Sequence, residues 1–384
     1  MLTDTQIKEV QKIRQTLHKY PELSGAESDT ASFVKGYLER FGADEIITGV
    51  GGAGLLGIFN GAAPDDGQTL MIRAELDALA IREQSDLPYG SENEGVMHAC
   101  GHDGHMAIVL GVGKWLKENR PARGRVILLF QPAEETGLGA GAMLRDDAFK
   151  NIHIDRGIAL HNLPGYKKNT VFIKENTFAS ASVGLKIEFQ GRSSHAAYPG
   201  EGINPAMAIS ELVQKLENVK KRASSHDKFR VLTVTYIKLG EPAFGINPGR
   251  GEMGVTVRAE TDEGITEMID DVKHELSLVM ESFEGNISIE QREPFSAVIN
   301  DGKGVDELVS IAERLKVTTQ FLDNPFAWSE DFGDFRKKFP ITLFGLGAGE
   351  GTPSLHSELY NFDDDLISVG TALFCEYIKK LNNG

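Results

Sequence analysis

Ile7, Val10, Ile13 and Leu17 fall on one stripe at helical spacing, and Thr3 with Gln6 has the pattern of a capping box. An amphipathic opening helix is predicted from Thr3 to Tyr20. Short apolar runs bounded by glycine or charge follow at Leu55 to Phe59, Leu70 to Ile72, Val126 to Phe130 and Ile158 to Leu160. Unbroken apolarity over that length predicts strands buried on both faces. Between them, Met106 to Leu116 sets Val109, Val112 and Leu116 on one stripe, so strand and helix alternate as in an α/β sheet.

From about Val183 the period becomes two. Val183 to Phe189 and Val231 to Leu239 alternate apolar with polar positions, as in a sheet with one solvated face. Strand 183–190, helix 203–222, strand 231–239, strand 252–259, helix 264–283 and strand 286–292 spell β-α-β-β-α-β, the ferredoxin-like order. A helix at 304–316, a buried strand from Ile341 to Leu346 and an amphipathic helix from Asp363 to Leu381, ending at Asn382, Asn383 and Gly384, return to the first texture. The prediction is an α/β fold: a discontinuous α/β sheet domain of residues 1–180 and 294–384, with a ferredoxin-like domain inserted over 181–293. The crossings near 180 and 293 would be its hinge.

A length of 384 residues agrees with two domains at about 150 residues each. Hydrophobic residues at 41% and charged residues at 25% exclude a disordered or collagen-like chain. The net charge of −16 would be repelled by phosphate backbones and anionic membranes, so neither nucleic acid nor membrane is expected as a partner. No run approaches the roughly 18 apolar residues of a membrane span, and the N-terminus lacks the layout of a signal peptide, so a cytoplasmic location is expected. Two distant cysteines, Cys100 and Cys375, give no disulfide framework.

Cys100 lies inside the segment Met97-His98-Ala99-Cys100-Gly101-His102-Asp103-Gly104-His105, which holds three of the ten histidines. Imidazole and thiolate suit zinc, cobalt, manganese or nickel, and Cys100 with His102 can reach one ion from a turn. Asp103 would then orient an imidazole. The competing reading is a glycine-rich loop whose histidines bond to backbone. Glu134 and Glu135, in Gln131-Pro132-Ala133-Glu134-Glu135, follow a buried strand directly, where α/β sheets place ligand sites. Neighbouring side chains in extended backbone point apart, so one carboxylate can bind metal while the other serves as general base. A solvated acidic loop is the alternative. His161 and His356 repeat the placement after apolar runs, although a lone histidine there is more often a satisfied polar residue. Arg73, Glu75 and Asp77 close the strand at Leu70 to Ile72, with Asp77 placed to support a ligand or to pair with Arg73.

These motifs in this order, with Arg73-Ala74-Glu75-Leu76-Asp77-Ala78-Leu79, Gly191-Arg192-Ser193-Ser194-His195-Ala196-Ala197, Ser329-Glu330-Asp331-Phe332 and Leu355-His356-Ser357, resemble the M20 metallopeptidase group over nearly the full length. The similarity is to its amidohydrolase branch of hippurate, indole-acetyl amino acid and aminobenzoyl-glutamate hydrolases. The resemblance implies that Cys100, His102, Glu135, His161 and His356 bind two divalent ions, with Glu134 as general base and His195 reaching an active site, often across a dimer, to steady the oxyanion. The inserted domain would then serve as lid and dimerisation module. Two positions depart from the family pattern: Glu75 stands where Asp is usual and Ala80 where Pro is usual. The Asn that the family places thirteen residues before its arginine falls here on Gly245, with Asn247 two positions on.

The expected chemistry is hydrolysis of a small N-acyl or N-aroyl amino acid, two divalent ions activating a water whose proton Glu134 passes to the leaving amine. Arg258, ending the strand at 252–259, would clamp the substrate carboxylate, with Asn247 beside it; a surface salt bridge explains Arg258 nearly as well. Two other functions fit the motifs: a di- or tripeptidase on the same scaffold, and a metal-binding protein without turnover.

Overall fold

The computed structural model describes residues 1–382. It divides into two compact units, one of Met1–Phe178, Val298–Asn324 and the chain from Asp331 on, the other of Ala179–Ala297 and Pro325–Glu330. The second crossing therefore falls at Ala297, a few residues past the expected 293, and the short segment 325–330 joins the smaller unit, which no periodicity signals. Within that unit Ser180 donates its hydroxyl to Phe326 O at 2.7 Å.

The larger unit is built on an eight-stranded mixed sheet. Strands Glu45–Val50, Gly54–Asn60, Arg125–Gln131, Thr69–Glu75, Arg156–Pro164, Ile341–Gly349, Thr170–Ile173 and Thr318–Phe321 lie side by side in that order. Thr69–Glu75 runs parallel to both Arg125–Gln131 and Arg156–Pro164, which runs parallel to Ile341–Gly349. Parallel strands covered on both faces read as unbroken apolar runs, which is why these four were visible in the sequence. The helix Ser28–Phe41 and the edge strands were among those missed, the helix and Glu45–Val50 because they mix exposed with buried residues and Thr318–Phe321 because none of its residues is fully buried. The capping box forms: Gln6 N donates to Thr3 Oγ1 at 3.3 Å and Thr3 N to Gln6 Oε1 at 2.9 Å. The helix expected from Met106 begins earlier, at His102, and of its residues to Leu116 only Lys114 is not buried. An all-round apolar helix of this kind belongs to the core. The closing helix is Leu366–Asn382; its expected ending at Asn383 and Gly384 lies outside the described residues.

The smaller unit has the ferredoxin-like arrangement. Its antiparallel sheet runs Arg230–Leu239, Arg250–Ala259, Ala181–Gln190, Asn286–Phe295, with helices Ala206–Ser224 and Asp262–Met280. Val183, Leu185, Ile187 and Phe189 are buried against Leu212, Leu216, Val272 and Leu276, while Lys186, Glu188 and Gln190 face outward. Each such fully buried side chain contributes roughly 1.5–3 kcal/mol. The edge strand keeps less of its expected alternation, with Val231, Tyr236, Ile237 and Leu239 exposed.

Candidate metal centre

All five expected ligands belong to the larger unit and hang from its parallel strands and central helix. Cys100 and His102 stand on the turn that opens the helix His102–Leu116. Gly101 between them has φ 92, and a Cβ there would come within 2.5 Å of Asn162 Oδ1 and 2.7 Å of Tyr360 Oη. Only glycine fits both the left-handed backbone and that approach. Glu134 and Glu135 follow strand Arg125–Gln131, after Ala133 at φ 51. His161 lies inside strand Arg156–Pro164 rather than beyond its end. His356 has φ 63 and donates its backbone N–H to Ala99 O at 2.9 Å, which ties its loop to the Cys100 turn. Left-handed residues other than glycine are costly and gather where function holds them.

Three overlapping sets of donor atoms result. Cys100, His102 and His161 form one, Cys100, Glu135 and His356 a second, and His102, Glu134 and Glu135 a third, each set having its atoms within 4.8 Å of one another. Cys100 Sγ is 3.5 Å from His161 Nε2. His102 Nε2 is 3.9 Å from Glu135 Oε1 and 3.9 Å from Glu134 Oε2, and His356 Nε2 is 3.8 Å from Glu135 Oε2. Tetrahedral ligands at about 2.0–2.3 Å from an ion stand roughly 3.3–3.8 Å apart, so the spacing fits a cation between them. Cys100, His102 and Glu135 each belong to two of the three sets, so the donors form one continuous cluster.

The charge around these donors also asks for a cation. Burial opposes a proton on His102, yet the charges of Cys100 and Glu75 and the contact with Asp77 raise its pKa well above the ordinary imidazole value. Its Nε2 is buried without a hydrogen-bond partner among the described residues. Burial first, then the charge of Glu135, pushes the Cys100 thiol far up, so the thiolate needs a cation to form near neutrality. Burial and then His102 push His356 down, which leaves it a neutral donor.

Asp77 supports two ligands at once. Its backbone oxygen lies 2.9 Å from His102 Nδ1, and its Oδ2 accepts from the Glu135 N–H at 3.0 Å and from Ser24 Oγ at 2.7 Å. Such contacts fix the tautomer and direction of a ligand. Asp103 does not have the expected part. Its carboxylate, at the start of the helix, turns away from the donor sets to Arg14 Nε at 2.8 Å and His18 Nδ1 at 2.8 Å, so it orients an imidazole of the opening helix. The other two histidines of the motif are not among the five expected ligands: His98 is buried and held neutral, with its pKa pushed down to about 3 by burial, and His105 bonds to Glu75 and Asn162 while its ring packs on that of His161, 4.9 Å between centroids.

The remaining expected residues belong to the smaller unit. His195, exposed, pairs in register with Ile246, and its Nδ1 accepts from the Ala197 N–H at 3.0 Å. Asn247 spends its amide locally: Oδ1 accepts from Asn204 at 2.7 Å and Nδ2 donates to Ser194 Oγ at 3.0 Å, so it shapes the His195 loop rather than offering a free donor. Arg258 donates to Ser329 Oγ at 3.0 Å and Ala327 O at 3.3 Å, pairs with no carboxylate among the described residues, and is drawn below its ordinary pKa by burial. The surface salt bridge that competed for it is not formed. Sequence reasoning passed over Asn162, Arg14, His18 and Ser24, because their partners lie tens of residues away.

The description "Peptidase family M20/M25/M40" matches residues 71–380. An N-acetyl-L-cysteine deacetylase of Bacillus subtilis is 32% identical over 376 residues, covering 96% of this chain and 87% of that protein. An N-acetyldiaminopimelate deacetylase of the same organism is 31% identical over 377 residues, covering 98% and 100%. Among solved structures, a dinuclear metal binding peptidase of the M20 family from Bacillus subtilis superposes with a TM-score of 0.82 at 25% identity over 99% of both chains.

Proposed function

The chain belongs to the peptidase family M20/M25/M40 and is a metal-dependent hydrolase of carbon–nitrogen bonds; from that premise we propose that it removes the acyl group from small N-acyl amino acids, using a pair of divalent ions held by Cys100, His102, Glu135, His161 and His356. The observation that carries the reading is the overlap of their donor sets, with Cys100, His102 and Glu135 each shared. Zinc, manganese, cobalt or nickel suits this mix of thiolate, imidazole and carboxylate. When bound, the ions supply Lewis acidity to the amide carbonyl and make water acidic enough to attack near neutral pH.

Glu134 is the proposed base, supported by a carboxylate in the donor set of His102 and Glu135. It takes the proton of the attacking water and returns it to the amine nitrogen as the carbon–nitrogen bond breaks. Asp77 keeps the Glu135 backbone and the His102 ring in place meanwhile. Arg258 clamps the substrate carboxylate, a role favoured by a partly buried guanidinium that no carboxylate neutralises among the described residues. His195 steadies the oxyanion. Dimerisation through the smaller unit is favoured by exposed Val231, Ile237 and Leu239 along an edge strand. Among the described residues no helix is long and apolar enough to cross a membrane, and a cytoplasmic location is part of the same proposal.

A substrate panel tests the reading. N-Acetyl-cysteine, N-acetyldiaminopimelate, hippurate and simple dipeptides are compared by kcat/KM with the metal-loaded protein. At least one N-acyl amino acid should exceed every dipeptide by tenfold or more. A dipeptide or tripeptide ranked first would replace this reading with that of a peptidase.

A further inference from the structure

We propose that Glu75 and His105 form a positioning pair that fixes the His161 imidazole through Asn162; this rests on the metal centre proposed above. Glu75, His105 and Asn162 are all buried, at 0%, 1% and 0% exposure. One Glu75 oxygen pairs with Arg73 Nη1, and the other lies 2.8 Å from His105 Nδ1. Across the ring, His105 Nε2 is 2.6 Å from Asn162 Oδ1 and 3.1 Å from the Asn162 backbone nitrogen. The Asn162 amide nitrogen donates to Tyr360 Oη at 2.6 Å. With its amide nitrogen on Tyr360 Oη and either its side-chain oxygen or its backbone N–H on His105 Nε2, Asn162 presents its carbonyl oxygen 2.9 Å from His161 Nδ1, which leaves His161 Nε2 facing Cys100 Sγ at 3.5 Å.

Asn162 also lies under the turn that carries Cys100 and His102, since a Cβ on Gly101 would come within 2.5 Å of its Oδ1. One amide thus braces the thiol turn and the neighbouring imidazole together. Glu75, His102 and His105 could themselves be taken for a further cation site, as their donor atoms also converge. Both Glu75 oxygens and both His105 nitrogens are already engaged, however, so the pair serves as a support.

The test uses Glu75→Gln, His105→Phe and the double variant, titrated with cobalt(II) and assayed for kcat and KM. Phenylalanine keeps the ring packing of His105 on Phe362, whose centroids are 6.2 Å apart, and removes the hydrogen bonds. Each single variant is expected to bind the ion that His161 would hold about 10–100-fold more weakly, to weaken the other much less, and to lose kcat with KM nearly unchanged. The double variant should be no worse than His105→Phe alone, because the residues act in series. Should Glu75→Gln not fold, the split between the two ions in His105→Phe carries the test. Wild-type affinity for both ions, equal weakening of both, or additive losses would overturn the proposal. A wild-type protein that binds no cobalt would instead overturn the function proposed above.

Discussion

Replacing Glu134 with glutamine is expected to lower kcat by about 10²–10⁴-fold while the metal content stays at the wild-type level. The amide keeps the size and hydrogen-bonding reach of the carboxylate but cannot take a proton. Glu134 shares a donor set with His102 and Glu135, yet Cys100, Glu135, His161 and His356 converge in sets that do not include it. The cations should therefore remain. Elemental analysis and initial rates on the same preparation check both halves. Undiminished turnover would remove Glu134 from the mechanism, and loss of metal together with turnover would make it a ligand.

Replacing Arg73 with methionine should cost about 3–5 kcal/mol of stability at neutral pH. Arg73 is 1% exposed in the middle of the sheet, where it donates to Gln131 Oε1 at 3.0 Å and Asp331 Oδ1 at 3.0 Å and pairs with Glu75. Methionine fills much of the volume but leaves Glu75 and Asp331 buried with one cation fewer. Burial alone would raise the Glu75 pKa, and Arg73 followed by His105 holds it well below the usual carboxylate range. A lowered folded value means that the pairing stabilises above the unfolded carboxylate pKa of about 4.3 and is lost as pH falls through the folded value. The difference between wild type and variant should therefore be greatest at neutral pH and shrink in acid. Denaturant midpoints at several pH values measure it, and a variant within about 0.5 kcal/mol of the wild type at pH 7 would contradict this account of the ion pair.

The strongest periodicities in the sequence carried most of the fold. Thr69–Glu75, Arg125–Gln131, Arg156–Pro164 and Ile341–Gly349 are buried on both faces, so each wrote an apolar run into the chain. Ser28–Phe41 and Thr318–Phe321 mix polar and apolar positions because only part of each faces the core. The segment 325–330 joins the smaller unit by contacts at long separation, such as Ser180 with Phe326, which no local pattern records.

The convergence of Cys100, His102, Glu135, His161 and His356 could be anticipated for a related reason, since cysteine, histidine and glutamate beside buried apolar runs carry a chemical signature of their own. Their supports could not. Asp103 reads as a neighbour of His102, but it meets Arg14 and His18 from a helix 85 residues earlier in the chain. His102 and His105 look alike in one motif. The helix that starts at His102 turns His105 toward strand Thr69–Glu75, where Glu75 receives it. Asn162 follows His161 in the chain without any mark of its role, because that role depends on Gly101 and Tyr360 closing around it. Pairings across the fold decide such roles, and one sequence does not print them.

The most direct measurement is metal analysis of the purified protein combined with hydrolysis of an N-acyl amino acid before and after exhaustive chelation. The account predicts about two divalent ions per chain, loss of hydrolysis when they are removed, and its return when zinc, manganese, cobalt or nickel is added back. Full hydrolysis by protein shown to be free of metal would contradict it.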